Sequence, residues 1–182
     1  MYSSELLGII GRGEDSVNQF KRDFTNAASL AAEMVAFSNM AGGRILVGVR
    51  DDGTISGLTR SDVGRLNELI SNAASQLVRP PINPLTENVD TPDGLVLVVT
   101  VLQGISKPYM DNGGVIWVKS GADKRKVTSR EEMQRMFQSS SLIHGDEVPV
   151  PGMSTSDLDT DAFRRYLREQ YGEVPELEGV AI

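Results

Sequence analysis

Lys119, Lys124, Arg125, Lys126 and Arg130 place five cations within 12 residues, opposed locally by Asp123, Glu131 and Glu132. Such a cluster can neutralise the phosphates of DNA or RNA and displace their counterions without reading a base. Arg130 strengthens the signal, because it stands in the first turn of a predicted helix, where the helix dipole favours an acid. Arg135 follows one turn later. The alternative reading of Lys124-Arg125-Lys126 is a solvated loop, with Gly121 and Asp123 as its turn residues.

Other chemistry is thinly provided for. His144 is the only histidine and there is no cysteine. Disulfides, iron–sulfur clusters, thiolate zinc sites and histidine-based triads are therefore excluded. Ser38 and Ser120 have no partner suggested by spacing. Gly11-Arg12-Gly13 lacks the third glycine of a dinucleotide fingerprint, and no Gly-Lys-Ser/Thr follows any glycine run. Asp51-Asp52-Gly53 is first of all good turn chemistry.

The net charge of −7 argues on its face against a nucleic-acid partner, so its distribution matters. Residues 1–140 carry 15 basic and 16 acidic side chains, whereas residues 141–182 carry 3 and 9. The acidity sits in the tail, and the main domain is nearly neutral with local clusters. Hydrophobic and charged fractions of 40% and 24% are those of a soluble globular chain. No run approaches the roughly 20 apolar residues of a membrane span. Met1–Ile10 has no basic n-region, so the expectation is a cytoplasmic protein without a secretory signal.

The elements that must position these groups read as an α+β domain, with helices packed on a mixed, mostly antiparallel sheet. Val17–Phe24 is a predicted strand. Thr25 or Asn26 caps a helix whose small and apolar residues recur at Ala27, Leu30, Ala31, Met34, Val35 and Ser38. Ala28, Ala32 and Ala36 lie outside that stripe, which predicts packing on more than one side. Gly42-Gly43 stops this helix, Arg44–Arg50 forms a strand, and Asp51-Asp52-Gly53 turns it into a short return at Thr54–Ser56. Gly48 inside the strand predicts a bulge or a close backbone approach. A helix from Ser61 or Asp62 carries Leu66, Leu69, Ile70, Ala73 and Leu77 and ends before Pro80-Pro81. Residues 82–90 are extended, and Leu95–Leu102 is apolar enough for a strand covered on both faces. Val115–Lys119 is a further strand, the basic residues form the loop after it, and Ser129-Arg130-Glu131-Glu132 is a capping box. Residues 1–140 form the domain, and 141–160 an acidic Ser/Pro/Gly linker. Residues 161–182 begin a downstream region with an amphipathic helix showing Phe163, Tyr166, Leu167 and Tyr171.

Several of these landmarks resemble one family. Gly13-Glu14-Asp15-Ser16 followed by Phe20-Lys21, the block Ala31–Asn39 with Gly42-Gly43, and Val47–Gly53 are similar to the opening and central motifs of the Schlafen/AlbA-like domain. Pro80-Pro81-Ile82, Lys107-Pro108-Tyr109 and Trp117–Gly121 are similar to its later ones, so the resemblance covers about residues 6–140. It implies a nucleic-acid-binding module at the front of a transcriptional regulator, with DNA or RNA as partner. In related ribonucleases two glutamates and an aspartate hold a divalent metal, Mg²⁺ or Mn²⁺. Carried over, these are Glu14 and Asp51 or Asp52, but the second glutamate position is Gln19, an amide without the charge that offsets a metal. Asp15 or Asp23 is the available substitute. The expectation is a binding domain with no cofactor and no catalytic residue, with the nuclease as the alternative. The small-residue helix and the aromatic stripe of the last helix make self-association, as a two-fold homodimer, a third reading.

Overall fold

The computed structural model describes residues 1–139, 154–157 and 159–172. They fall in two units, Met1–Ile143 and His144–Ile182. The first unit opens with helix α1 (Ser3–Ile10) and strand β1 (Asn18–Lys21), then helix α2 (Ala27–Asn39) and strand β2 (Gly43–Val47). Helix α3 (Arg60–Asn72) runs on through a π-helical turn at Ala73–Leu77 into the short strand β3 (Val78–Arg79). Strands β4 (Leu85–Thr91), β5 (Gly94–Val101), β6 (Met110–Asp111), β7 (Trp117–Ser120) and β8 (Asp123–Lys126) precede helix α4 (Arg130–Ser139).

The main sheet has the order β1-β2-β5-β4. β1 and β2 are parallel, and both β5 pairings are antiparallel, so the sheet is mixed and mostly antiparallel as the sequence predicts. Ile45 opposite Val99 and Val47 opposite Leu97 face one side, where Leu30, Met34, Phe37, Leu66 and Ile70 of α2 and α3 cover them. Leu46 opposite Val98 faces the other, under Leu6, Ile9 and Ile10 of α1. β5 is thus buried on both faces, which its unbroken apolar run requires.

α2 is the central helix. Asn26 caps it by accepting from the N–H groups of Ala28 and Ser29, and Leu30 through Asn39 are all buried. Ala32 and Ala36 are inside as their positions predict, whereas Ala28 is exposed. Gly42 follows at φ 79°, where a Cβ would come within 2.8 Å of the Gln103 nitrogen and the Val101 oxygen. Only glycine fits that crossing. Gly48 (φ 99°) meets the predicted close approach, since its Cβ would lie 3.1 Å from the Leu95 oxygen. Thr59 and Asp62 form the reciprocal capping box of α3, which starts slightly earlier than predicted.

Strand β1 and the basic segment differ from their predicted form. β1 spans four residues rather than Val17–Phe24. The basic segment predicted as a loop is strand β8, paired antiparallel with β7. Asp123 and Lys124 belong to the strand because the turn needs only Gly121 (φ 62°) and Ala122. In the second unit, helix α5 (Thr160–Tyr171) is capped by Asp159 and stopped by Gly172. Of the predicted linker, residues 141–153 and 158 lie outside the described residues, as does His144.

Candidate nucleic-acid interface

The β7–β8 hairpin sorts its cations onto two faces, because directly paired residues point the same way. Trp117 pairs with Lys126 and Lys119 with Lys124; these four share the face toward α2. Val118 pairs with Arg125 on the opposite face, toward α4. There Val118 joins Ile116 and Val127 in a small apolar cluster against Met133 and Met136. Arg125 forms a two-pronged ion pair with Glu132, at 3.0 and 2.7 Å. This corrects the capping box at α4: Ser129 accepts from the Glu132 N–H at 3.3 Å, but the Glu132 carboxylate is used by Arg125.

Lys119 stands apart from the other four predicted contacts. It is buried, and its ammonium donates to Gln19 Oε1 at 2.6 Å and to the Ala122 carbonyl. It lies 3.9 Å from Glu33 Oε2 and 5.0 Å from the centroid of Phe37. Burial pushes its pKa down, while Glu33 and Glu14 pull it back up and Lys124 and Lys21 reinforce the fall. Lys119 is therefore an internal cation, unlike the exposed Lys126 and Arg130. Strand alternation turns it inward, where Gln19 waits with an acceptor.

Lys124, on the same face, is half released. Its Nζ is 2.6 Å from Glu33 Oε1, with 23% of the side chain exposed. Lys126 is exposed and holds its Nζ 5.3 Å from the Trp117 ring centroid. Arg130 is exposed at the start of α4. Among the described residues neither Lys126 nor Arg130 forms an ion pair.

Among the carboxylates singled out by the sequence, Glu14, Asp15 and Asp52 serve the backbone. Val17 and Lys21 offer their carbonyls to Arg44 and Gly48, which leaves the alternate N–H groups of β1 on an open edge. Glu14 Oε1 accepts from Phe20 N–H at 2.6 Å and also from the Gln19 amide. Asp15 closes the same edge, accepting from the N–H groups of Val17 and Asn18 at 2.8 and 2.7 Å. Asp23 is tied to Arg65 at 2.6 Å. Asp51 and Asp52 are exposed in the turn after β2, where Asp52 accepts from Thr54 N–H, a bond that holds its carboxyl below the usual range. Among the described residues no three acidic or histidine side chains converge as metal ligands. Glu14, Gln19, Asp51 and Asp52 do not fit a divalent cation, since the Lys119 ammonium already bonds the Gln19 oxygen.

Sequence reasoning missed three residues of this site. Glu33 pairs with Lys124 from a helix position flanked by alanine and methionine, and only the rarity of a buried acid marked it. Asn39 fastens α2 to the hairpin region with three bonds: Nδ2 donates to the carbonyls of Tyr109 and Trp117 at 2.9 Å each, and Oδ1 accepts from Tyr109 N–H at 2.7 Å. Asp111 Oδ1 accepts from the N–H groups of Gly113 and Val115 in the turn before β7, and its Oδ2 accepts from the Trp117 indole N–H at 2.7 Å.

The fold is shared with a solved structure. The crystal structure of the DIP2311 protein from Corynebacterium diphtheriae matches 94% of this chain at 19% identity with a TM-score of 0.54. The chain spans only 39% of that protein's length. The N-terminal domain of a RecG-related protein from Nitrosomonas europaea, solved by NMR, matches 71% of this chain and 96% of its own, at 20% identity and a TM-score of 0.49. No curated protein matches the chain. A model of one family matches residues 14–128, the stretch that holds Glu14, Gln19, Lys119 and the whole β7–β8 hairpin. The chain belongs to the Schlafen AlbA_2 family.

Proposed function

We propose that the domain binds nucleic acid by neutralising phosphates with Lys126 and Arg130, assisted by Lys124 and Arg125. The observation that carries this reading is the exposure of Lys126 and Arg130 at a strand end and the following helix start, without an acidic partner among the described residues. Lys124 and Arg125 contribute less, because Glu33 and Glu132 each take up part of their charge. Lys119 supports the hairpin from inside. Membership of the family agrees with this reading, and a place in a cytoplasmic transcriptional regulator is part of the same proposal.

The test is the salt dependence of binding to labelled DNA and RNA. Each lost phosphate contact lowers the slope of log affinity against log salt by about 0.9 on duplex DNA and about 0.7 on a single strand. Lys126→Ala with Arg130→Ala is expected to flatten it by about 1.8 or about 1.4 accordingly, with the fold intact. An unchanged slope, or no binding by the wild type at low salt, overturns the reading. Replacing Lys124 is a poorer test, because it also strands the buried Glu33 carboxylate.

Self-association is supported by a separate feature. Tyr166 is 52% exposed on α5, one turn from the partly buried Phe163 and beside Leu167. Light scattering is expected to show a homodimer that Tyr166→Glu converts to monomer; a monomeric wild type at high concentration rejects it.

A further inference from the structure

Trp117 is the only tryptophan in the chain, and the fold holds its ring as a fixed plane. Its indole N–H is bound by Asp111 and its carbonyl by Asn39. The residue packs against the core cluster that includes α2, yet remains partly exposed. Lys126, its cross-strand partner, and Lys124, two residues away on the same face, place ammonium groups 5.3 and 5.9 Å from the ring centroid. Lys124 is anchored by Glu33, whereas Lys126 is free to swing toward a phosphate. A rigid aromatic surface with two cations poised over it, of which Lys126 has no acidic partner among the described residues, suits a strand whose bases are unpaired. The ring takes a base face while the lysines take the flanking backbone. A duplex keeps its base faces stacked inside the helix and offers such a ring only edges and phosphates.

We propose that Trp117 is a stacking platform for an unpaired base, so that the nucleic acid taken by this hairpin is single-stranded. The proposal rests on the phosphate-binding reading of the same hairpin. Because the chain has one tryptophan, every change in selectively excited tryptophan emission reports on this ring.

The experiment titrates the full chain with three probes of about 12 nucleotides, within the usual footprint of single-strand binders: an oligothymidylate, an abasic strand of equal length, and a duplex. Anisotropy of labelled probes gives affinity, and tryptophan emission gives stacking. The oligothymidylate is expected to quench the emission and to bind about 5- to 150-fold more tightly than the abasic strand, which carries the same phosphates. Trp117→Phe, which keeps an aromatic ring in the core, is expected to bind the oligothymidylate more weakly and the abasic strand unchanged. Equal affinity for all three probes without quenching overturns the stacking platform and leaves the phosphate contacts standing. Tighter binding of the duplex also overturns it. Binding of none of the three overturns both.

Discussion

Gln19 accepts a hydrogen bond from Lys119 at 2.6 Å across 100 residues of sequence, and its amide N–H donates in turn to Glu14. An amide is suited to stand between an ammonium and a carboxylate, because it accepts from one and donates to the other. Glutamate at this position would set two carboxylates against each other. Glutamine at position 19 thus has a positive structural role.

The first prediction follows from that junction. Gln19→Leu leaves the Lys119 ammonium with the Ala122 carbonyl and a distant Glu33, and removes one donor from Glu14. A loss of about 1–3 kcal/mol is expected in urea unfolding. A variant as stable as the wild type would mean that the Lys119 head group reaches solvent. The same junction predicts that Mg²⁺ or Mn²⁺ produces no cleavage of labelled RNA or DNA. Cleavage abolished by Glu14→Ala would restore the nuclease reading.

Much of the fold was legible in the sequence because local rules agreed with the tertiary result. The α2 cap at Asn26, the stop at Gly42-Gly43 and the buried run of β5 each follow from a neighbouring pattern. The hairpin did not, because Asp123–Lys126 carries no apolar alternation: Lys124 and Lys126 face Trp117, and Arg125 faces Glu132. A strand made of charges reads as a loop until its cross-strand partners are known. Lys119 shows the same limit. Its burial is decided by Gln19 and Glu33, far away in sequence.

Lys119 gives a pH signature. Burial lowers its folded pKa from the ordinary 10.5, so above the folded value the unfolded chain holds more protons at this site. The stability contribution of Lys119 therefore rises with pH between the lowered folded value and 10.5, as the desolvation of the charge is relieved. Below that window both states are protonated and the contribution is flat. Unfolding free energies of wild type and Lys119→Met, compared from neutral to alkaline pH, are expected to shift in favour of the wild type as pH rises. A constant difference would show that the folded pKa is ordinary. The nucleic-acid salt slope of Lys119→Met is expected to match the wild type.

Asn39 tests how the hairpin is held. Asn39→Ala removes three hydrogen bonds and leaves backbone groups of Tyr109 and Trp117 without those partners in a buried setting. A loss of about 2–4 kcal/mol is expected, at the upper end for a polar truncation. Hydrogen exchange is expected to accelerate first at Tyr109 and along β7. Uniform acceleration across β2 and β5 would mean that Asn39 supports the whole domain rather than its junction with the hairpin.

Glu132 is expected to restrain binding. Its carboxylate holds both terminal nitrogens of Arg125, in a pair whose arginine is 50% exposed and whose acid is 27% exposed. The hydrogen bond from Arg125 comes first among the causes holding the Glu132 carboxyl below its ordinary range. At such exposure the pair adds at most about 1 kcal/mol to stability, so its loss leaves the fold intact. Its effect on a polyanion is larger, because a guanidinium already bridged to a carboxylate must leave it to meet a phosphate. Glu132→Gln removes the competing charge while keeping the shape of the side chain. Affinity for nucleic acid is expected to rise, and the salt slope to steepen by up to about 0.9 on duplex DNA as Arg125 is added to the contacting set. Arg125→Ala should lower affinity in the wild type by less than it does in the Glu132→Gln background. If Glu132→Gln leaves both affinity and slope unchanged while Lys126→Ala reduces them, the contact surface is confined to the Trp117 face of the hairpin and Arg125 serves only to dock α4.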